Sequence, residues 1–367
     1  MSVQLYSGSL SLVRKSGVGQ AVAHQRKMLN QVGISVTDHA QADTGVVHCN
    51  TVFPDSVLAA LWAKLRGRKV VFYGHSTMED FRNSFRGSNA LAPLFRQWIK
   101  LCYERGDVVI TPTEYSRRLL LSYGIRRPIY SLSNGIDTEF FAPDPARRAA
   151  FREKYGLSET DKAVISVGHF IARKGLSEFV ELARSMPSVR FFWFGYTRPE
   201  LIPQEIRDAI ASAPENLTFP GFVEQEELRD AYCGCDVFAF LSHEETEGIV
   251  VLEALACGIP TVVRDIPVYA NWLTDGVSVY KAADQSGFAD KVRGLLDGTL
   301  PSLAEGGLQV ARERSMAATG EKLKAIYQRE HLPYEGPAPA HSPAGTSAPA
   351  PAPVRPARPT PPTLFRN

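Results

Sequence analysis

Short continuous apolar runs alternate along this chain with longer segments of helical periodicity. Residues 3–6, 45–49, 69–73, 107–111 and 129–132 are such runs. Apolar stretches this short, without polar alternation, predict parallel strands buried on both faces. The segments between them predict helices, among them 20–31 and 113–123, where Thr113 and Glu114 form a capped start. The pattern restarts at 163–167 and continues through 190–194, 217–219, 236–241 and 261–263, with a terminal helix predicted over 312–329. Strand–helix alternation on this scale predicts an α/β chain with parallel sheets. At 367 residues the chain has room for two domains of Rossmann size rather than one core. The expected division is 1–145 and 146–332, with the proline-containing stretch 142–145 opening the connection. Residues 333–367 are rich in Pro and Ala and poor in apolar side chains, so a disordered tail is expected there.

Charge changes this picture more than composition does. Residues 1–150 hold 19 Lys+Arg against 11 Asp+Glu, whereas 151–333 hold 19 against 27. A basic first half points to an anionic surface as its partner. No nucleic-acid recognition module accompanies the charge, so the expected partner is an anionic membrane and not nucleic acid. Segments 61–69 (LWAKLRGRK) and 94–106 (LFRQWIKLCYERG) mix basic residues with Trp and Leu, as an interfacial face does. The same residues also suit ordinary core-facing helices. No run of about twenty apolar residues predicts a membrane span, and the N-terminus lacks a secretory pattern. The expectation is a cytoplasmic protein, peripheral on the inner face of the plasma membrane. The five cysteines have neither zinc-site nor disulfide-framework spacing, so no metal and no cofactor are expected.

The candidate chemistry lies in residues 244–260, EETEGIVVLEALACGIP. Glu245 and Glu253 stand eight apart across Gly248, at the carboxyl end of the predicted strand 236–241. Open α/β sheets bind ligands at that end of their strands. Residues eight apart on a helix share roughly one side and are separated by about 12 Å. A helix start near Gly248 would offer free N–H groups to a phosphate between the two carboxylates. Two acceptor-only side chains suit hydroxyl-rich groups at both ends of a diphosphate. Elsewhere, Gly17-Val18-Gly19 with Asp38 invites a dinucleotide-binding reading, but Val22 stands where the third glycine belongs.

The segments GHSTMEDFRNSFRGSNALAPLF, TPTEYSRRLLLSYGI, SNGID and EETEGIVVLEALACG, in this order, resemble the retaining GT-B glycosyltransferases of family 4. Within that family they are similar to bacterial diacylglycerol glycolipid synthases, of the type that adds α-1,2-galactose to monoglucosyl-diacylglycerol. The resemblance covers about residues 1–332 and implies a GT-B fold, two Rossmann-like domains facing across a cleft, with the last helix returning to the first domain. It implies UDP-galactose or UDP-glucose as donor and a glycolipid as acceptor. Glu245 would hold sugar hydroxyls and Glu253 the ribose; His75 would face the transferred sugar. Gly17, Gly19, Arg173, Lys174, Gly248, Ile249 and Val250 would hold the diphosphate, Phe222 and Val223 the nucleobase, and Glu79, Asp80, Phe81 and Arg82 the acceptor. The family's Gly-Arg pair reads Gly168-His169 here, which leaves His169 or Arg173 to replace its arginine. Glu247 stands where the family often has an aromatic residue, and its extra charge has no evident task. His48 reads as structural, and so does Asn134-Gly135-Ile136-Asp137, before the linker. Other acceptors (polysaccharide, teichoic acid or protein), a UDP-sugar epimerase and a non-catalytic UDP-sugar-binding protein remain open alternatives.

Overall fold

The computed structural model describes residues 1–6, 8–9, 17–85 and 87–334. The tail expected to be disordered lies outside the described residues, apart from 333 and 334. Six strands form the first sheet: β1 (Ser2–Tyr6), β2 (Val36–Thr37), β3 (Thr44–Cys49), β4 (Lys69–Tyr73), β5 (Val108–Thr111) and β6 (Ile129–Ser131). Their order is β2-β1-β3-β4-β5-β6, and every pairing is parallel. The second sheet comprises β7 (Ala163–Val167), β8 (Arg190–Phe194), β9 (Leu217–Gly221), β10 (Val237–Phe240), β11 (Thr261–Arg264) and β12 (Tyr280–Ala282). It runs β12-β11-β10-β7-β8-β9, again all parallel. The central strands are buried on both faces, which is why they read as unbroken apolar runs. Strand order reverses between β1 and β3 and between β7 and β10, so the loops leaving these strands flank a crevice at each sheet's carboxyl edge.

Three expectations need correction. The glycine pair was expected in a loop before a helix at 20; instead the helix Gly17–Gln31 already includes it. The single terminal helix over 312–329 is two helices, Ala304–Glu313 and Met316–Arg329. The break falls at Arg314-Ser315, where the Ser315 side chain caps the second helix by accepting from the Ala318 N–H. Strands β2 and β12 lie at the sheet edges and were not expected at all. The first has only two residues, and the second places Lys281 mid-strand, so neither makes an apolar run.

The last helix, Met316–Arg329, packs beside the first sheet. It packs against Gly17–Gln31, where a Cβ on Gly320 would come within 2.9 Å of Val32 Cγ1 and 3.2 Å of the Met28 carbonyl oxygen. Farther along, the buried Tyr327 hydroxyl bonds to His48 Nε2, and Tyr130 bonds to Glu330. His48 itself is fully buried. Two chain segments therefore cross between the halves, 132–144 outward and 314–315 back, and they are tied together. The Ile136 N–H donates to the Arg314 carbonyl at 3.0 Å, and the Met316 N–H donates to the Ile136 carbonyl at 2.9 Å.

Candidate active site

The loops after β7 and β10 meet at the switch point of the second sheet and carry the charged side chains of the site. Residues Ala172–Lys174 form one tight turn that Gly175 closes at φ 75°. A Cβ on Gly175 would lie 2.4 Å from the Leu241 carbonyl oxygen, so only glycine lets this turn reach the end of β10. That approach delivers Lys174 to Glu245, with which it forms a salt bridge; Ser242 Oγ donates to the same carboxylate at 2.7 Å. Arg173 lies 3.9 Å from Glu245. Burial pushes the Glu245 carboxyl up, but Lys174 and then Arg173 outweigh it and hold the group below the usual carboxylate range. Glu245 is therefore ionised at neutral pH.

Gly248, at φ 85°, caps the helix Ile249–Ala256 and so puts Ile249 and Val250 in its first turn. Glu245 itself precedes the helix, so the helical 12 Å spacing does not apply to the pair. Glu253, 3% exposed, accepts a hydrogen bond from the Tyr232 hydroxyl at 2.9 Å. Burial raises its carboxyl to about 7, because the Tyr232 bond only partly offsets the loss of water.

Glu245, Gly248, Ile249, Val250 and Glu253 line one cavity of about 380 Å³ together with Arg173, Lys174, Phe222 and Val223. Gly17, His75, Asp80 and Asn134 close it from the first half. Gly19, Glu79, Phe81 and Arg82 are not among its lining residues. Glu79 instead bonds to the Tyr123 hydroxyl, Phe81 stacks on Phe95 at 4.1 Å, and Arg82 is exposed. His169 does reach the cavity wall, with Nδ1 at 2.7 Å from the Tyr196 carbonyl oxygen. Of the two candidates for the family's arginine, Arg173 carries the fixed charge, since burial lowers the His169 pKa.

His75 stands two residues beyond β4, buried, with Nε2 at 3.2 Å from Asn50 Oδ1 and its ring stacked on Tyr73. Burial lowers its pKa to about 4, so the ring is neutral at physiological pH. Asn50 Oδ1 can only accept, which places the proton on Nε2 and leaves Nδ1 free to accept from a hydroxyl.

Several connections across the cleft were not foreseen. Asp80 reaches Arg173 Nη1 at 2.9 Å. Thr113 Oγ1 donates to the Thr246 carbonyl at 2.8 Å, and the Tyr115 hydroxyl donates to Glu244 at 3.1 Å. Glu247 is fully buried and accepts from Asn134 and Arg314. Each partner lies on a different predicted element, so no spacing rule could pair them. Among the described residues, no group of three or more His, Cys, Asp or Glu side chains is placed to hold a metal ion.

Known proteins carry the same architecture. The sequence profile of glycosyl transferases group 1 matches residues 147–305, and that of glycosyltransferase family 4 matches residues 27–140. A relative from Acholeplasma laidlawii, a processive diacylglycerol alpha-glucosyltransferase, is 38% identical over 330 residues, covering 89% of this chain and 98% of its own length. An alpha-galactosylglucosyldiacylglycerol synthase from Streptococcus pneumoniae is 25% identical, covering 70% of this chain and 71% of its own. The crystal structure of HepE from Anabaena, in complex with UDP and glucose, superposes with a TM-score of 0.73 at 16% identity, covering 89% of this chain and 99% of that one. The profiles and the 38% identity, with two parallel six-stranded sheets across a shared cavity, place the chain among the GT-B glycosyltransferases of group 1 and family 4.

Proposed function

We propose that this glycosyltransferase moves a hexose from a UDP-sugar to a diacylglycerol-anchored acceptor at an anionic membrane surface, with retention of the α configuration. The observation that carries the reading is the single cavity lined by Glu245 and Glu253, with Arg173, Lys174 and the helix start at Gly248 also in its wall. In this reading Glu245 accepts from the sugar hydroxyls and Glu253 from the ribose. Arg173, Lys174 and the N–H groups at Gly248, Ile249 and Val250 neutralise the diphosphate, which leaves as the anomeric C–O bond breaks. Gly17 brings backbone to the same phosphates while Gly19 stays off the cavity wall, Phe222 and Val223 flank the base, and neutral His75 accepts from a sugar hydroxyl. The acceptor oxygen bonds to the anomeric carbon on the face that the phosphate leaves, and its proton passes to the departing phosphate oxygen. Asp80 is the acceptor candidate nearest this point, with Glu79, Phe81 and Arg82 forming the approach.

The lipid assignment draws on the first half. The helix Pro54–Leu65 exposes Leu58, Leu61, Trp62 and Leu65, and Arg66 stacks over Trp62 at 4.4 Å. The helix Ser88–Tyr103 exposes Leu91, Leu94 and Leu101. Leucines with basic neighbours suit the interfacial region of an anionic bilayer. Trp98 does not join them, since its indole N–H donates to the Val52 carbonyl at 2.6 Å. No helix among the described residues is long and apolar enough to cross a membrane. The proposed association is peripheral, at the inner face of the plasma membrane, through these exposed leucines and their basic neighbours. The division at 145/146 separates an acceptor- and membrane-facing domain from a nucleotide-sugar domain.

The activities of the two relatives make glucose and galactose the candidate sugars, with the more similar of the two favouring glucose. Diacylglycerol and monoglucosyl-diacylglycerol are the candidate acceptors. UDP release from UDP-glucose and UDP-galactose, with vesicles holding either lipid or neither, tests the donor and the acceptor together. Release that depends on one lipid and one donor is expected. Equal release without lipid would sink the acceptor assignment.

A further inference from the structure

Glu247 is the residue of the donor loop whose charge the function above leaves without a task. Its carboxylate is fully buried between the two halves. Oε2 accepts from the Asn134 backbone N–H at 3.0 Å and from Asn134 Nδ2 at 2.7 Å. Oε1 accepts from Arg314 Nη1 at 3.3 Å. Asn134 lies on the outward crossing, and Arg314 lies on the returning one, held further by its guanidinium 4.6 Å above the Trp272 ring. The two crossings are already joined by the reciprocal backbone bonds of Ile136. One carboxylate therefore touches both chain segments that join the halves.

The same residue sits two positions after Glu245 and directly before Gly248, and it lines the cavity with both. Thr246, between them, accepts from Thr113 of the first half. A phenylalanine at this position could not accept from Asn134 and Arg314. A buried carboxylate with one unpaired oxygen would be costly, so the geometry that satisfies both oxygens is strongly preferred.

We infer that Glu247 is a positioning residue: through Asn134 and Arg314 it fixes the register between the donor loop 245–248 and the first-half wall that holds His75 and Asp80. The inference rests on the donor-site reading above and is independent of which lipid is the acceptor. It places the role in transfer more than in donor affinity, because the groups proposed to hold UDP, apart from the Gly17 backbone, belong to the second half, whereas His75 and Asp80 belong to the first. Displacing a reacting group by about 1 Å costs on the order of 100-fold in rate.

The test compares Glu247→Gln, Asn134→Ala and the pair Glu247→Gln/Arg314→Gln, measuring kcat, UDP affinity by titration calorimetry, and Tm. Glu247→Gln and Asn134→Ala are expected to lower kcat by about 10- to 100-fold while UDP affinity moves less than about 3-fold. The pair, which leaves no lone buried charge, should regain Tm but not kcat. If kcat returns together with Tm, or if Glu247→Gln transfers hexose at the wild-type rate, the positioning role is wrong and Glu247 is only a packing element. Should Glu247→Gln fail to fold, Asn134→Ala and the pair decide alone. Wild-type protein that does not bind UDP would overturn the donor-site reading together with this inference. Wild-type binding with unaffected variants overturns this inference alone.

Discussion

The two carboxylates of the donor segment share a sequence motif and a cavity, yet they live in opposite electrostatic surroundings. Glu245, at the mouth, is buried but has Lys174, Arg173 and Ser242 around it, and it stays ionised. Glu253, inside the helix, is buried just as deeply with one neutral partner, the Tyr232 hydroxyl, and its carboxyl rises to about 7. Burial raises both; what separates them is whether a cation accompanies the carboxylate into the protein. The lesson is that a spacing motif fixes where two acids sit and leaves their protonation to residues far away in the chain. For the proposed roles the difference is useful. The mouth carries fixed charges where a diphosphate would leave, and the interior offers a carboxyl whose charge depends on pH.

The most severe way to break the contrast is to remove the cation. Lys174→Met should lower kcat/KM by about 100- to 1,000-fold, the cost of deleting one group that stabilises developing charge, and steady-state kinetics with a UDP-hexose will show it. Near-wild-type turnover would contradict the proposed role of the mouth. A smaller effect is expected inside. Glu253→Gln should weaken UDP binding by about 10-fold, since it removes one charged acceptor from the proposed ribose contact, and calorimetry reads this directly.

The pH dependence sharpens the comparison further. With its carboxyl at about 7, Glu253 gains a proton as pH falls from 8 to 6, whereas Glu245 remains ionised. UDP affinity should therefore fall on acidification, and Glu253→Gln should flatten that slope. A slope that persists in the variant would assign the titration to another group.

Stability should respond with the opposite sense. The folded carboxyl at about 7 is raised from its ordinary 4.5, so between these values the fold retains a proton that the unfolded chain has released. Its contribution to stability is complete below 4.5 and is lost as pH rises through 7, a change of up to about 3 kcal/mol. Glu253→Gln is thus expected to raise Tm relative to wild type at pH 8 more than at pH 5, read by thermal unfolding at the two pH values. An equal Tm difference at both would show that Glu253 is better solvated than its burial implies.

How much of this was visible in the sequence depended on whether the signal was local. The central strands announced themselves because burial on both faces leaves no room for polar alternation, as in β3 and β10. The edge strands β2 and β12 gave no such run, because one side of an edge strand needs no apolar partner. The terminal helix was read as continuous because Arg314-Ser315 carries no Pro or Gly. What interrupts it is the backbone pairing with Ile136, 178 positions earlier in the chain, together with the Ser315 cap. In the site, Glu245, Gly248 and Glu253 were singled out by residue type and spacing within one segment, whereas Arg173 and Lys174 were named through the family resemblance. Asp80 was named among four acceptor candidates, but nothing local singled it out as the one that meets Arg173.

The chain alone therefore determined the α/β class, the order of its central strands along the chain and the Glu245–Glu253 segment, since each depends on periodicity or spacing over at most a dozen positions. Tertiary structure alone decided which acid stays charged, that Asp80 closes on Arg173, and that Glu247 clasps both crossings between the halves. The physical reason is that charge state and cross-cleft contact are set by what surrounds a side chain in space. Hydrogen bonds that span 113 and 67 positions leave no period in the sequence to be read.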